Sequence, residues 1–280
     1  MEAKVRYPGS FGEVIQGKVS GHDMLLSCPV NVYTNVKIYE TNNPTNKNKY
    51  EKSSIFLYNV LKEWNLEGLY KNMDIEINSD IPCGKGMASS TADLCALYYC
   101  LIKMFDRQFN EDELKNECIR IEPTDSIIYD KMTLFDYKFG NTVYKIGSYF
   151  KYNILAFEGR NIVNTVEFNN RVLPSLSDVD DLIPYLKQAV QEKNSEKLSF
   201  VSTESILRNQ KRLKYDWIEE IIRIKNNTGG LGIIGAHSGS VLGIIYDDKQ
   251  KTEFALKTLK NYSNLFSIYS LKTLMGIRII

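Results

Sequence analysis

The stretch DIPCGKGMASSTADL, residues 80–94, decides how this chain reads. Upstream of it, NMDIEINSDIP (72–82) alternates Met73, Ile75 and Ile77 on one face, the period of a strand that stops at Pro82. Downstream, SSTADLCALYYCLIKMFD (89–106) sets Leu94, Leu97, Tyr98, Leu101, Ile102 and Phe105 on one helical stripe. A strand, a glycine loop and a helix in succession point several backbone N–H groups at one spot. The helix dipole adds partial positive charge there, so a polyphosphate is a natural occupant. Gly84 and Gly86 can take positive φ and admit close backbone approach. Ser89, Ser90 and Thr91 offer hydroxyls to phosphate oxygens or to magnesium. A plainer reading competes, in which Ser90 and Asp93 form a capping box and no ligand is needed. It leaves Lys85 between two glycines, and three hydroxyls in a row, without a reason. The spacing of a Walker A loop is absent.

Two other segments carry chemistry-bearing residues. In EPTDS (122–126), Pro123 keeps Glu122 out of helical geometry, and two carboxylates stand three residues apart on a tight turn. Such a pair can hold magnesium and accept a proton from a hydroxyl. Equally, Asp125 and Ser126 can simply bond the local backbone in an Asx or Ser/Thr turn. GAHSGS (235–240) reads as a hairpin turn, or as a glycine loop closing over a ligand. His237 beside Ser238 and Ser240 suggests serine hydrolysis, but the G-x-S-x-G elbow is missing. His22, in a glycine-flanked turn, is expected to face water.

The remainder of the chain frames these segments. Its 280 residues allow one large domain or two modest ones, and the 43% hydrophobic and 25% charged fractions are those of a globular protein. With 35 basic and 34 acidic residues the net charge is +1, which gives no reason to expect nucleic acid or an anionic membrane as partner. No apolar run reaches membrane-spanning length, and MEAKVRYPGS lacks the apolar core of a signal peptide. The five cysteines form no C-x-x-C pair; Cys95, Cys100 and Cys118 read as buried thiols, and a reducing cytoplasm fits.

Residues 4–40 read as short strands broken at glycine turns, 41–50 as an exposed connection, and 52–64 as a helix. Asn110 with Glu113 looks like the cap of a helix over 111–121. The pattern restarts near residue 150, with a strand in 149–159 and helices in 181–194 and 195–210. A further helix in 215–230 takes Asp216 as cap and Gly229 as stop. Two apolar strands follow in 231–247, then a last helix and a strand-like tail in 264–273. The mix predicts an α+β protein in two halves, 1–150 and 151–280.

Taken together, these words resemble a known family. PCGKGMASSTA (82–92) resembles the phosphate loop of the GHMP kinases (galactose, homoserine, mevalonate and phosphomevalonate kinases), written P-x-x-x-G-L-G-S-S-A-A. Met87, Ala88 and Thr91 replace its Leu, Gly and Ala. GEVIQG (12–17), SCPV (27–30), EPTDS, TLFD (133–136) and AHSGSV (236–241), spread over nearly the full length, make the set similar to one branch, the L-threonine kinases of cobamide (vitamin B12) biosynthesis. The resemblance implies a two-domain GHMP kinase fold with the active site in the cleft between domains. It also implies ATP, Mg²⁺ and phosphorylation of the L-threonine hydroxyl to O-phospho-L-threonine, in the cytoplasm. Gly84, Lys85, Gly86, Met87, Ala88, Ser89 and Ser90 would then meet ATP, Ser89 and Glu122 the metal, and Asp125 would be the catalytic base. Ala236 to Ser240 match a motif that lines the cleft, and Glu13, Gln16, His237 and Ser238 are candidates for touching the substrate. One departure stands out: mevalonate-type members carry a lysine after their N-terminal Pro-Gly, whereas Ser10 follows Pro8 and Gly9 here. The alternatives are another small-alcohol kinase of the family, acting on homoserine, serine or a sugar, or a silent ATP-binding regulator.

Overall fold

A computed structural model describes residues 1–159, 173–259 and 265–277. The chain opens with a long hairpin of β1 (Glu2–Val19) and β2 (His22–Glu40), paired antiparallel from Glu2↔Tyr39 to Val19↔His22. The glycines do not break this region into short strands, as the sequence led one to expect. They bend one strand instead: the β1–β2 register shifts between Pro8 and Ser10, between Ser10 and Glu13, and between Glu13 and Ile15. Such bulges absorb an extra residue while the ladder continues on either side. His22 is exposed at the hairpin turn, as expected.

Among the described residues the hairpin is the middle of a nine-stranded sheet. On the β2 side lie β3 (Met73–Ser79) and β4 (Met132–Asp136), and β5 (Val143–Gly147) pairs with β4. On the β1 side come β7 (Gly232–Gly235), β8 (Val241–Tyr246), β6 (Asn153–Glu158) and β9 (Ser267–Lys272), so the order is β5–β4–β2–β1–β7–β8–β6–β9 with β3 also on β2. All of these pairings are antiparallel. The link between the two sides is narrow, since β1 and β7 share the single registered pair Glu13↔Gly235.

Helices cover the sheet. α1 (Glu51–Glu63), α2 (Ser89–Met104) and α3 (Glu111–Ile121) pack together, with α2 lying on β1 and β2. The predicted stripe of α2 is buried at Leu94, Leu97, Tyr98 and Leu101, and Cys95, Cys100 and Cys118 are buried as expected. In the second half α4 (Ile183–Glu192) and α5 (Ser195–Asn209) pack on each other, and α5 leans on both β7 and β1. α6 (Ile218–Thr228) covers β7 and β8, and α7 (Lys249–Thr258) covers β6 and β9. No described helix is long and apolar enough to cross a membrane. The tail strand lies where the sequence put it, apart from residue 264, which is outside the described residues.

Helix ends show how closely local signals were followed. Gly229 ends α6 at φ 68°, as read from the sequence. Asp216 does not cap that helix, which starts after Trp217 without a side-chain cap. The Trp217 ring is held 4.6 Å from Phe266 and 5.4 Å from Tyr215, and this packing sets Trp217 at the cap position, with the helix starting at Ile218, two residues beyond Asp216. Asn110 does cap α3, accepting from Asp112 N at 3.1 Å and Glu113 N at 3.2 Å. Glu113 does not reach back to complete a box; it accepts from Trp64 Nε1 at 2.6 Å. With one cap side chain carrying two N–H groups, Asn110→Ala should lower the unfolding free energy by about 1 kcal/mol in urea titrations.

Candidate active site

Three segments distant in sequence meet where β1 joins β7. The first is the loop between β3 and α2. Gly84, Gly86 and Ala88 all have positive φ, at 68°, 82° and 56°. Ala88 is the residue before α2, and no side chain caps the helix. The Ser90–Asp93 capping box therefore does not form; Asp93 accepts the Thr34 hydroxyl at 2.6 Å instead, and burial pushes its carboxyl up to about 6. A left-handed turn running into an uncapped helix start directs the N–H groups of the first turn at one place, where an anion is favoured. The half-buried hydroxyl side chains of Ser89 and Ser90 begin that turn.

Close backbone contact fixes the loop. Ser10 N donates to Met87 O at 3.1 Å, Gly12 N to Gly86 O at 3.3 Å, and Ser240 N to Lys85 O at 3.2 Å. A Cβ on Gly86 would stand 2.3 Å from Ala236 Cβ, and one on Gly239 2.1 Å from Lys85 O. Only glycine lets the loop and the 235–240 turn touch in this way. The turn joins β7 to β8 as the hairpin reading expected. The buried Tyr215 hydroxyl steadies it, within reach of the carbonyls of Ala236 (2.6 Å), Gly239 (3.0 Å) and Val241 (3.3 Å). Lys85 itself is buried: its Nζ donates to Gly159 O at 2.7 Å and lies 3.4 Å from Glu158 Oε1. Met87 is also buried, with its sulfur 3.6 Å from the Tyr269 hydroxyl.

The second segment is EPTDS. Glu122 is extended (φ −166°) and ends α3, as Pro123 requires. Thr124 Oγ1 lies 3.2 Å from Thr91 Oγ1, which ties this turn to the first turn of α2. The Glu122 carboxylate accepts from Lys52 Nζ at 2.6 Å, across from α1. The Asp125 carboxylate accepts from the local N–H groups of Ser126 and Ile127, as the turn reading expected, and the Ser27 hydroxyl also donates to it from β2. Ser27 is further fixed by Ser126, whose Oγ accepts Ser27 N at 2.8 Å. Burial and then the charge of Glu13 push the Asp125 carboxyl up, the Ser27 hydroxyl and the N–H groups of Ser126 and Ile127 pull it back, and it settles at about 7.

The third group belongs to the 235–240 turn and to β1. Glu13 Oε2 accepts His237 N at 2.8 Å and lies 3.0 Å from His237 Nδ1. His237 Nε2 is 2.9 Å from Ser205 Oγ on α5, and that hydroxyl also accepts Gln16 N at 2.9 Å. Glu13 and His237 are buried; Gln16 and Ser238 are half-buried. Because Glu13 faces Ser27 across the hairpin, and Ser27 donates to Asp125, the two carboxyl groups are neighbours.

The structure thus brings the buried Glu13 and His237 together with the half-buried Asp125, and through Thr124 and Thr91 it ties the turn after Glu122 to the α2 start that carries Ser89 and Ser90. The Lys85 side chain is directed elsewhere, into the contact with β6. Sequence reading missed Ser27 as a partner of Asp125, and it missed Lys52, Ser205 and Tyr215 altogether. SCPV marked Ser27 only as part of a family word; the other three carry no local signal. Chemically, the site can cradle an anion at the helix start, hold a cation at Glu122, and take up a proton on Asp125 near neutral pH.

Comparison with known proteins gives the family and the fold. A model of the GHMP kinases N terminal domain matches residues 53–128, and one of the GHMP kinases C terminal region matches 179–264. An L-threonine kinase of Citrobacter freundii is 29% identical over 253 residues, covering 88% of this chain and 86% of that protein. One of Salmonella typhimurium is 28% identical over 261 residues, covering 91% and 86%. Among solved structures, a homoserine kinase of Cytophaga hutchinsonii superposes with a TM-score of 0.75 at 14% identity over 100% of this chain and 97% of its own. A mevalonate kinase of Methanococcus jannaschii gives 0.68 at 19% identity, over 98% of both chains. These last two share the fold.

The carboxyl of Asp125 has a testable signature. A pKa raised from the usual value near 4 to about 7 means that the folded state binds this proton more tightly than the unfolded chain. Stability from this group is therefore full below about pH 4 and is lost as pH rises to about 7. Urea titrations from pH 4 to 8 should show wild type losing stability relative to Asp125→Asn across that window and no further above it. A flat difference would contradict the raised value.

Proposed function

This chain belongs to the GHMP kinase family, and from that premise we propose that it transfers the γ-phosphoryl group of ATP to the side-chain hydroxyl of L-threonine, giving O-phospho-L-threonine. The observation that carries the proposal is the juxtaposition at α2: an uncapped helix start behind a left-handed glycine loop, tied through Thr91 and Thr124 to Glu122 and Asp125. Phosphoryl transfer needs little more than positioning and neutralised charge, and this arrangement provides for both. The choice of L-threonine as acceptor is supported by the two L-threonine kinases that this chain resembles along most of its length. On this reading residues 1–150 carry the nucleotide loop, residues 151–280 supply the 235–240 turn, and the product feeds the aminopropanol linker of cobamides in the cytoplasm.

Residues 84–90 would cradle the ATP phosphates mainly through backbone N–H groups. Mg²⁺ suits the donors present. Among the described residues no three His, Cys, Asp or Glu side chains gather to hold a metal, so a cation here relies on one carboxylate, a hydroxyl and ligand oxygens. Glu122 already holds the cationic Lys52 ammonium at 2.6 Å, and with Ser89 it forms the hard-oxygen pair assigned to the metal. When bound, the ion offsets negative charge on the phosphate oxygens. Asp125, oriented by Ser27, accepts the hydroxyl proton; a carboxyl near pH 7 is well matched to that task.

Glu122→Gln and Ser89→Ala should each lower kcat by about two orders of magnitude, the scale of one lost transition-state contact. Turnover at the wild-type rate by folded Glu122→Gln at saturating Mg²⁺ would remove Glu122 from the metal site. The acceptor is tested by ADP release with L-threonine, L-serine, L-homoserine and galactose. L-threonine should give the highest kcat/KM; release without preference, or none, would sink the reading.

A further inference from the structure

The end of β9 returns to β2: Lys272 N donates to Asn31 Oδ1 at 2.7 Å, and Leu274 N to Pro29 O at 2.9 Å. At this meeting lies a recess of about 370 Å³, lined by Arg6, Tyr33, Asp80, Pro82, Glu158 and Tyr269 among others. Tyr7 stacks on Tyr99 of α2, and side chains alternate along a strand, so Arg6 stands on the sheet face turned away from α2. The recess therefore lies behind the glycine loop, not at the helix start. Two opposite charges face it without meeting each other. The Arg6 guanidinium lies 3.9 Å over the Tyr33 ring and has no hydrogen-bond or ion-pair partner among the described residues. Asp80 is seated beside that ring, because its N–H donates to Tyr33 O at 2.9 Å. Its carboxylate likewise has no partner among the described residues. A guanidinium stacked on a ring keeps its N–H edge for a carboxylate. A simple anion in the recess would meet Asp80 and Glu158, and a simple cation would meet Arg6. A ligand carrying both signs satisfies both walls, and a volume at the small end of ligand pockets suits a single amino acid.

Two residues of the recess also hold the glycine loop. Glu158 Oε1 lies 3.4 Å from Lys85 Nζ, and Glu158 Oε2 accepts the Tyr269 hydroxyl at 3.2 Å. That hydroxyl lies 3.6 Å from the sulfur of Met87. We propose that the recess is a regulatory site for an α-amino acid with an apolar side chain. Arg6 takes the carboxylate, Asp80 and Glu158 take the ammonium, and the side chain lies against Tyr269 and Pro82. An ammonium at Glu158 competes with Lys85 for the same carboxylate. The filled recess thus loosens the hold on Lys85 and weakens nucleotide binding at the loop. By linkage, nucleotide weakens amino-acid binding by the same factor.

Calorimetry on the full chain tests the site with L-phenylalanine and L-isoleucine, neither of which has a hydroxyl to phosphorylate. L-phenylalanine should bind about tenfold or more tightly than phenethylamine, which lacks the carboxylate, or 3-phenylpropanoate, which lacks the ammonium, the scale of one lost charged hydrogen bond. Saturating L-phenylalanine should raise the Kd for ADP about tenfold. Arg6→Met and Asp80→Asn should each abolish L-phenylalanine binding and leave kcat/KM for L-threonine unchanged. That pairing separates the recess from the acceptor site, where L-phenylalanine would only compete with L-threonine. Should one variant not fold, the other gives the same readout. Binding of neither amino acid to wild type, phenethylamine binding as well as L-phenylalanine, or retained binding in a folded variant would overturn the site. An unchanged Kd for ADP with the amino acid bound would overturn its coupling to the loop. The coupling rests on the nucleotide reading of the glycine loop. Wild type that binds no ADP would remove that reading, and the amino-acid affinities would still decide the recess.

Discussion

Gly12 and Gly235 meet backbone against backbone: a Cβ on Gly12 would stand 2.3 Å from the Gly235 carbonyl carbon, where Gly12 has a φ of 57°. This contact lies at the one registered pair that joins β1 to β7, so the two sides of the sheet lean on each other through it. The same crossing brings Gly86 against Ala236 and Gly239 against Lys85 O. A side chain at Gly12, Gly86 or Gly239 would push apart segments separated by 150 to 223 positions along the chain. The bulges of β1 follow from the same demand. They let the strand continue as a sheet member while turning Glu13 and its neighbours toward the junction.

What the junction gains from such close packing is a dry place for charge. Buried Glu13 lies beside the half-buried Asp125, which by itself is unfavourable for two carboxylates. The cost is spread over specific donors: the Ser27 hydroxyl for Asp125, the His237 N–H and ring for Glu13. Ser27 is itself pinned by Ser126, and His237 by Ser205. Each carboxyl is thus oriented by a residue that another residue orients in turn, which is the support that a site working to fractions of an ångström requires. The residual imbalance shows in Asp125, whose proton is held close to neutral pH.

Much of this was legible in the sequence, and the limits have physical causes. Strand β3, the stripe of α2 and the proline stop at Glu122 depend on nearest neighbours in the chain, and the sequence placed them correctly. Gly229 and Asn110 did their expected work because caps are local. Asp216 failed as a cap because Trp217 packs on Phe266, 49 positions away. The capping box at Ser90 and Asp93 failed for the same kind of reason: Thr34 of β2 claims the aspartate. Ser205 and Tyr215 reach the candidate site only once α5 has docked across β1 and β7. No window of sequence contains that information, because it resides in the crossing of the two halves.

The two lysines of the site illustrate how position along the chain misleads and topology corrects. Lys85, between glycines in the most suggestive loop, faces away from the helix start. Its ammonium joins the loop to the end of β6 through Gly159 and Glu158. Lys52 lies in an unremarkable amphipathic helix, yet α1 delivers it to Glu122 beside the uncapped start of α2. A long flexible side chain at a helix start can be aimed by the helix behind it, whereas one inside a tight positive-φ loop goes where the loop's own packing leaves room. In this fold that room lies toward β6, because the 235–240 turn occupies the other side. The glycine loop therefore offers an anion its backbone, while α1 brings a cation to the Glu122 that ends α3.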